Sequence, residues 1–185
     1  MPMIHAVTGG TGLPENVMSI SSSLYPHVDA ICVREKQLSE TALSLKIKKM
    51  IEQGIPPEKL IIHSFPAIAV QYNLQGVHFT EFDDRMKLFK HTYPYLQAGK
   101  SVHSLETAIK AELDGADYLY FGHIFKTPSK EGVPGRGLDL LRQLTDSVSI
   151  PVIAIGGIHF DNIQTVLEAG AAGAAMISAF FKNEE

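Results

Sequence analysis

The chain has 185 residues, of which 45% are hydrophobic and 19% charged, a balance typical of a folded globular domain and not of a disordered one. Its formal net charge of -4 provides no general attraction for DNA, RNA or anionic lipid, so we expect neither a nucleic-acid nor a membrane partner. The single cysteine, Cys32, cannot form an intramolecular disulfide bond. Since the sequence has neither a signal-like start nor an apolar run of about 20 residues, it predicts a cytoplasmic protein.

Eight short apolar or β-branched runs alternate with amphipathic segments and predict eight strands. The runs are Ile4–Thr8, Ala30–Arg34, Leu60–His63, Gly76–Phe79, Leu96–Ser101, Tyr118–Phe121, Pro151–Ile155 and Gly173–Ile177. Several are apolar on both faces, as parallel strands covered by helices must be. Eight β/α repeats predict an α/β protein in which residues 1–185 form one domain, a closed (β/α)8 TIM barrel.

The chain is short for this fold, which usually takes about 250 residues. The shortfall follows the eighth predicted strand, where residues 178–185 are too few for a normal helix, so we expect a truncated or missing eighth helix. Its absence would leave an apolar groove between the first and seventh helices, covered by Phe180 and Phe181 or by a second subunit. Because large exposed apolar patches are unusual on monomers, we predict a homo-oligomer.

A glycine-rich segment, residues 9–12, follows the first predicted strand and is similar to the opening of a dinucleotide-binding fingerprint. Such a site needs a further glycine for helix packing and an acidic residue about 20 positions on for the ribose. Residues 13–14 are Leu-Pro where that glycine is needed, and the candidate acid Glu35 is flanked by Arg34 and Lys36. We therefore expect no nucleotide cofactor and interpret the segment as a flexible loop at the barrel mouth.

The active site of this fold lies at the C-terminal ends of the strands, so polar residues just after the predicted strands are candidates. The clearest signal is Gly156-Gly157 after strand seven with Ser178 after strand eight, where backbone N–H groups and a hydroxyl can bind phosphate. The alternative is that the glycines form only a tight turn. Arg34 and Lys36 alternate to the same side of strand two and would present positive charge to an anion.

Residues 126–137 form a long loop rich in lysine, glycine, proline and hydroxyl groups, which indicates a lid or, alternatively, a solvated surface loop. Of the eight histidines, His123 directly follows a strand end, and His63 is the other candidate for chemistry. His5 and His78 lie within strands and are expected to be hydrogen-bonded barrel residues. The sequence has no His/Cys cluster with metal-ligand spacing, so we expect no metal site of that kind.

Six ordered motifs resemble the thiamine phosphate synthase/TenI superfamily over nearly the whole chain. They are Val33–Lys36, Gly76–Asp83, Ser101–Ser104, Phe121–Lys130, Ala154–Ile158 and Met176–Ala179. The resemblance implies that Gly157, Ile177 and Ser178 hold the phosphate group of a small thiazole substrate. The residues expected to contact the rest of the substrate are Arg34, Lys36, Ser101, Thr127, Ser129 and Lys130.

Departures from the synthase pattern favour the TenI branch of the resemblance. Synthases join a pyrimidine diphosphate to a thiazole phosphate with magnesium, and they carry Asn-Asp-Arg where residues 63–65 are His-Ser-Phe. Asp83 matches the second metal ligand of the family, whereas Cys32 replaces a pyrimidine-contacting glutamine. Synthases have a proline at the position of His123, and the thiazole tautomerases of the TenI branch have the histidine.

The resemblance therefore implies a thiazole tautomerase, an isomerase that aromatises a carboxylated thiazole phosphate in thiamine biosynthesis. Moving a proton between carbons requires a group that titrates near neutral pH, so we expect His123 to be catalytic, with no metal, redox cofactor or nucleophile. Arg34 and Lys36 could meet the substrate carboxylate. The alternatives are a magnesium-dependent thiamine phosphate synthase and a non-catalytic regulatory TenI-like protein, for which the sequence offers no DNA-binding motif.

Overall fold

The computed structural model describes residues 1–181 and has eight parallel strands closed into a barrel. The strands are β1 (Met3–Val7), β2 (Ala30–Val33), β3 (Leu60–His63), β4 (Gly76–Phe79), β5 (Gln97–Val102), β6 (Tyr118–Gly122), β7 (Val152–Ile155) and β8 (Gly173–Met176). Each strand pairs with its neighbours in sequence, and pairing of β1 with β8 closes the barrel. The predicted (β/α)8 TIM barrel is therefore confirmed.

Helices follow the first seven strands and cover the outside of the barrel. They are α1 (Glu15–Leu24), α2 (Glu40–Glu52), α3 (Pro66–Tyr72), α4 (Arg85–Thr92), α5 (Leu105–Leu113), α6 (Gly137–Thr145) and α7 (Ile163–Glu168). Ser104 caps the N-terminus of α5 in a capping box. Its hydroxyl accepts from the Thr107 N–H, and the Thr107 hydroxyl accepts from the Ser104 N–H. Within residues 1–181, no helix is long and apolar enough to cross a membrane.

The barrel wall separates two apolar clusters. The larger one lies between the strands and the helices and includes Ile31 and Val33 of β2. Alternation along the same strand places Ala30 and Cys32 in the smaller cluster inside the barrel. The interior is thus filled by side chains, and it leaves the C-terminal ends of the strands as the surface on which a substrate can bind.

Residues 177–181, after β8, form no helix, and residues 182–185 of the expected truncated segment lie outside the described residues. Phe181 turns back into the core and is only 4% exposed, while Phe180 packs edge-on against Phe160. A groove of about 320 Å³ remains between α1 and this segment, and Ile20 and Leu24 contribute to its lining. One phenylalanine therefore fills part of the position of the eighth helix, and the homo-oligomer stays a prediction.

Candidate active site

The carboxylate of Glu35, just after β2, ties the loop between β1 and α1 to the rim of the barrel. It is 2% exposed and accepts hydrogen bonds from the Thr8 hydroxyl and the Gly12 N–H, each at 2.6 Å. The Gln37 side chain reinforces this tie by donating to the Gly10 carbonyl. The loop that we interpreted as flexible is therefore fastened to β2, and the carboxylate that could have bound a ribose is engaged by the chain itself.

Three cations converge on the same side of the rim. Arg34 and Lys36 flank Glu35 in sequence, and within residues 1–181 neither forms an ion pair. The positive charge of Arg34 lowers the pKa of Lys36 most, partial burial adds to this, and Lys130 in the loop after β6 contributes further. Since like charges held close together repel, this cluster is a favourable place for a multiply charged anion.

His63 at the end of β3 lies beside the cation cluster and is neutral near physiological pH. Burial and then the charges of Arg34 and Lys36 lower its pKa to about 4, although Asp83 acts in the opposite sense. Its Nδ1 lies 2.8 Å from the Ser64 hydroxyl. A histidine that resists protonation down to about pH 4 is poorly matched to acid–base catalysis near neutrality.

The carboxylate of Asp83, in the loop after β4, is occupied by Arg85. Asp83 Oδ1 accepts from Arg85 Nε at 2.9 Å and Oδ2 accepts from Nη2 at 2.6 Å, while the same Nη2 donates to the Ser64 carbonyl at 3.0 Å. In residues 1–181, no group of three or more His, Cys, Asp or Glu side chains is arranged to hold a metal ion. The residues present therefore do not fit a magnesium ion held between two protein carboxylates.

His123 lies just after β6 and is bound by the following loop. Its Nε2 donates to the Val133 carbonyl at 3.1 Å, which requires a proton on that nitrogen. Arg136 fastens the same region, because Nε donates to the Gly122 carbonyl at 2.8 Å and Nη1 donates to the His103 carbonyl at 3.0 Å. The imidazole thus has a structural role in holding residues 126–136 against the end of β6.

The other substrate candidates of this loop begin a short helical turn. Thr127 is half-buried and its carbonyl accepts from the Lys130 N–H at 3.0 Å, whereas Ser129 and Lys130 are exposed. The positive charge of Lys130 is the third cause, after the charge of Arg34 and burial, that lowers the pKa of Lys36. The loops after β2 and β6 therefore both contribute positive charge to the rim.

The backbone conformation and packing after β7 require glycine at positions 156 and 157. Gly156 and Gly157 have φ values of +96° and +69°, and a Cβ on Gly157 would lie 2.8 Å from both the Phe125 Cβ and the Lys126 carbonyl oxygen. Left-handed backbone packed this closely admits only glycine without strain. The Gly157 and Ser178 N–H groups donate to no acceptor among residues 1–181, which leaves both available to an anion.

Ser101 and Ile177 mark the top of the barrel interior. The Ser101 hydroxyl lies 2.8 Å from His78 Nε2, and Ile177 packs against the interior apolar cluster. His78 in turn stacks on Tyr120 at 4.0 Å between ring centroids, and the Tyr120 hydroxyl lies 2.7 Å from His5 Nδ1. Burial lowers the pKa of His5 to about 4 and that of His78 well below its ordinary value, so both are neutral parts of a hydrogen-bonded interior.

Cys32 lies inside the barrel below this level. It is fully buried among the interior residues, and burial raises the pKa of its thiol to about 12. A protonated thiol in this position is a packing residue, and it offers no polar group to a ligand above the rim.

Comparison with known proteins places these features in a family. A family model described as thiamine monophosphate synthase matches residues 5–180. The chain belongs to this family. The putative thiamine-phosphate synthase 2 of Aquifex aeolicus is 33% identical over 98% of this chain and 99% of its own length. A solved structure, the thiamine phosphate pyrophosphorylase from Pyrococcus furiosus, is 34% identical, with a TM-score of 0.80 over 98% of this chain and 88% of that one.

Other relatives match a shorter segment at higher identity. The thiamine-phosphate synthase of Methanocella arvoryzae is 45% identical over 64% of this chain. That alignment, like those with the enzymes of Pyrococcus horikoshii and Pyrococcus furiosus, spans 57% of the relative's length.

These relatives are named for the synthesis of thiamine phosphate, and none of them for thiazole tautomerisation. The interpretation of the chain as a tautomerase, and hence as an isomerase, is therefore wrong, and the synthase alternative fits better. The tautomerase interpretation depended most on the histidine at position 123. The structure gives that imidazole a partner of its own, the Val133 carbonyl, so its presence in the sequence does not require a proton-transfer reaction.

Proposed function

We propose that the chain is a transferase of the thiamine-phosphate synthase type, which joins a pyrimidine diphosphate to a thiazole phosphate and releases pyrophosphate. The observation that carries the proposal is the position of Arg34 and Lys36 just after β2 and of Lys130 after β6, at the rim of the barrel, where none of the three forms an ion pair within residues 1–181. The names of relatives that align along nearly the whole chain support the same reaction.

In this reaction the bond between the pyrimidine methylene carbon and the diphosphate oxygen breaks, and its electron pair leaves with pyrophosphate. The lone pair of the thiazole nitrogen then forms the new C–N bond. Negative charge grows on the departing diphosphate, so cations already in position stabilise the transition state more than the substrate. No proton moves between carbon atoms, and the neutrality of His63 and the engaged Nε2 of His123 are compatible with that requirement.

The three cations suit different parts of this task. The guanidinium of Arg34 can donate two parallel hydrogen bonds to one phosphate group, whereas the ammonium groups of Lys36 and Lys130 act as point charges. Their mutual repulsion, which lowers the pKa of Lys36, is relieved when an anion binds between them. Bound diphosphate should therefore raise the pKa of Lys36.

The thiazole phosphate requires a second anion subsite, and we assign it to the Gly157 and Ser178 N–H groups. Both have no acceptor among residues 1–181. Close packing of Gly157 against Phe125 and Lys126, and the hydrogen bond from Asn162 Nδ2 to the Gly157 carbonyl at 2.9 Å, fix the direction of this backbone. A fixed N–H binds a phosphate oxygen without further ordering of the chain.

Calorimetry with inorganic pyrophosphate, together with steady-state rates, tests the assignment of the cations. Lys36→Ala and Lys130→Ala should each weaken pyrophosphate binding and turnover by about tenfold to a hundredfold, since a hydrogen bond to a charged group contributes about 1.5–3 kcal/mol. Lys48→Ala is the matched control, because Lys48 is an exposed lysine on α2 that pairs with Glu52. Equal pyrophosphate affinity in all four proteins would contradict the assignment.

A further inference from the structure

The side chain of Arg85 closes a bridge between two loops of the rim. Besides its two bonds to the Asp83 carboxylate, Nη2 reaches the Ser64 carbonyl after β3, and its backbone N–H donates to Asp83 Oδ1 at 3.1 Å. The Asp83 side chain is only 10% exposed, whereas that of Arg85 is 60% exposed. One guanidinium thus neutralises a nearly buried carboxylate and links the ends of β3 and β4.

We infer that Arg85 takes the place of a divalent cation beside Asp83, so that this chain does not hold magnesium at that carboxylate. The inference rests on the proposed function only for the nature of the anion, which is diphosphate. The positive charge that faces a diphosphate then comes from Arg34, Lys36 and Lys130, and not from a metal ion at Asp83.

A magnesium ion at Asp83 would have to displace Arg85 from both carboxylate oxygens. Magnesium sheds its water reluctantly and demands near-octahedral oxygen geometry, so it gains little from one carboxylate whose lone pairs already accept charge-assisted bonds. Arg85 is two residues from Asp83 in the chain and competes intramolecularly. The Lys100 ammonium group, 3.0 Å from the Asp83 carbonyl oxygen, adds a second positive charge that repels a metal ion.

The neighbouring polar groups do not complete a metal site either. Ser64 offers a hydroxyl, and that hydroxyl lies 2.8 Å from His63 Nδ1. Both oxygens of Glu81 are used by His103, one by its N–H and the other by Nδ1, each at 2.9 Å. Asp84 lines the groove between α4 and α5. The nearest hydroxyl, of Ser64, and the nearest glutamate, Glu81, are therefore both engaged by histidines.

Binding of Mn²⁺, followed by electron paramagnetic resonance of the full chain without substrate, tests the inference. The wild-type protein and Asp83→Asn should be indistinguishable, with no stoichiometric site. The double variant Ser64→Asp/Arg85→Met frees Asp83 and adds a second carboxylate across the bridge. It should bind Mn²⁺ at least about tenfold more tightly than the wild type.

Two outcomes would overturn the inference. One is a stoichiometric Mn²⁺ site in the wild-type protein that Asp83→Asn removes. The other is a folded double variant, checked by thermal unfolding, that gains no affinity. Calorimetry with inorganic pyrophosphate in a chelator gives a second measurement, in which binding should persist. None of these experiments needs turnover, so failure of the transferase proposal would be seen separately, in the product assay.

Discussion

Acidification should destabilise this protein well before its carboxylates are protonated, because three histidines, two of them buried and one partly buried, are held neutral. Burial lowers the pKa of His5 and of His63 to about 4, and that of fully buried His78 well below 6.5. In the unfolded chain each would titrate at about 6.5, so between pH 6.5 and 4 the unfolded state binds more protons than the folded state. The free energy of unfolding therefore falls as the pH drops through this window.

The size of the effect follows from these pKa values. Between pH 7 and 5, a histidine whose pKa changes from about 6.5 to about 4 on folding loses about 2 kcal/mol of stabilisation. His5 and His63 together lose about 4 kcal/mol, and His78 adds to the loss in the same direction. Since domains are stable by about 5–15 kcal/mol, this loss decides whether the protein stays folded at pH 5.

Urea unfolding at pH 7, 6 and 5 measures the effect, with the free energy extrapolated to water at each pH. His63→Gln should reduce the loss of unfolding free energy between pH 7 and 5 by about 2 kcal/mol. His27 is exposed and serves as the matched control, because His27→Gln should not change that loss. A wild-type free energy that stays flat between pH 7 and 5 would refute the reasoning.

Three further predictions concern the loops and the surface. Glu35→Ala removes two charge-assisted hydrogen bonds and should lower the free energy of unfolding in urea by about 3 kcal/mol. The exposed Glu58 provides the control, and an equal decrease in Glu58→Ala would show that the Glu35 carboxylate does not fasten the loop. Gly157→Ala should cost about 1–3 kcal/mol more than Gly54→Ala, since both have positive φ but only Gly157 is crowded, and it should raise the KM for thiazole phosphate. Equal losses of unfolding free energy in Gly157→Ala and Gly54→Ala would show that crowding at Gly157 does not matter. Light scattering should show an oligomer that Ile20→Glu dissociates, and a strict monomer at high concentration would contradict that prediction.

The barrel could be predicted because its signals are local. Eight strand patterns recur in order, and parallel strands buried on both faces have a recognisable composition. The expected truncation after β8 agrees with residues 177–181, which form no helix, and the hydrogen-bonded histidines His5 and His78 were expected from their positions within strands. These features depend on neighbours close in sequence or on the strand period, which single-sequence reasoning can assess.

The candidate site was only partly accessible to the same reasoning. Alternation and strand ends indicated Arg34 and Lys36, but nothing in the sequence indicated that Arg85 would bridge to the Ser64 carbonyl or that His123 would bind the Val133 carbonyl. Such contacts join separate loops or distant parts of one loop, and they depend on how each loop folds over the rim. A histidine at a strand end looks the same in sequence whether it transfers protons or holds a loop.

The most direct test of the proposed function is identification of the product formed by the purified full-length chain. The protein is incubated with the pyrimidine diphosphate and the thiazole phosphate, with and without magnesium, and the mixture is analysed by mass spectrometry and a pyrophosphate assay. The account predicts thiamine phosphate and pyrophosphate in equal amounts, with the rate lowered in Lys36→Ala and unchanged in Lys48→Ala. Absence of thiamine phosphate under every condition, from protein that still binds pyrophosphate, would contradict it.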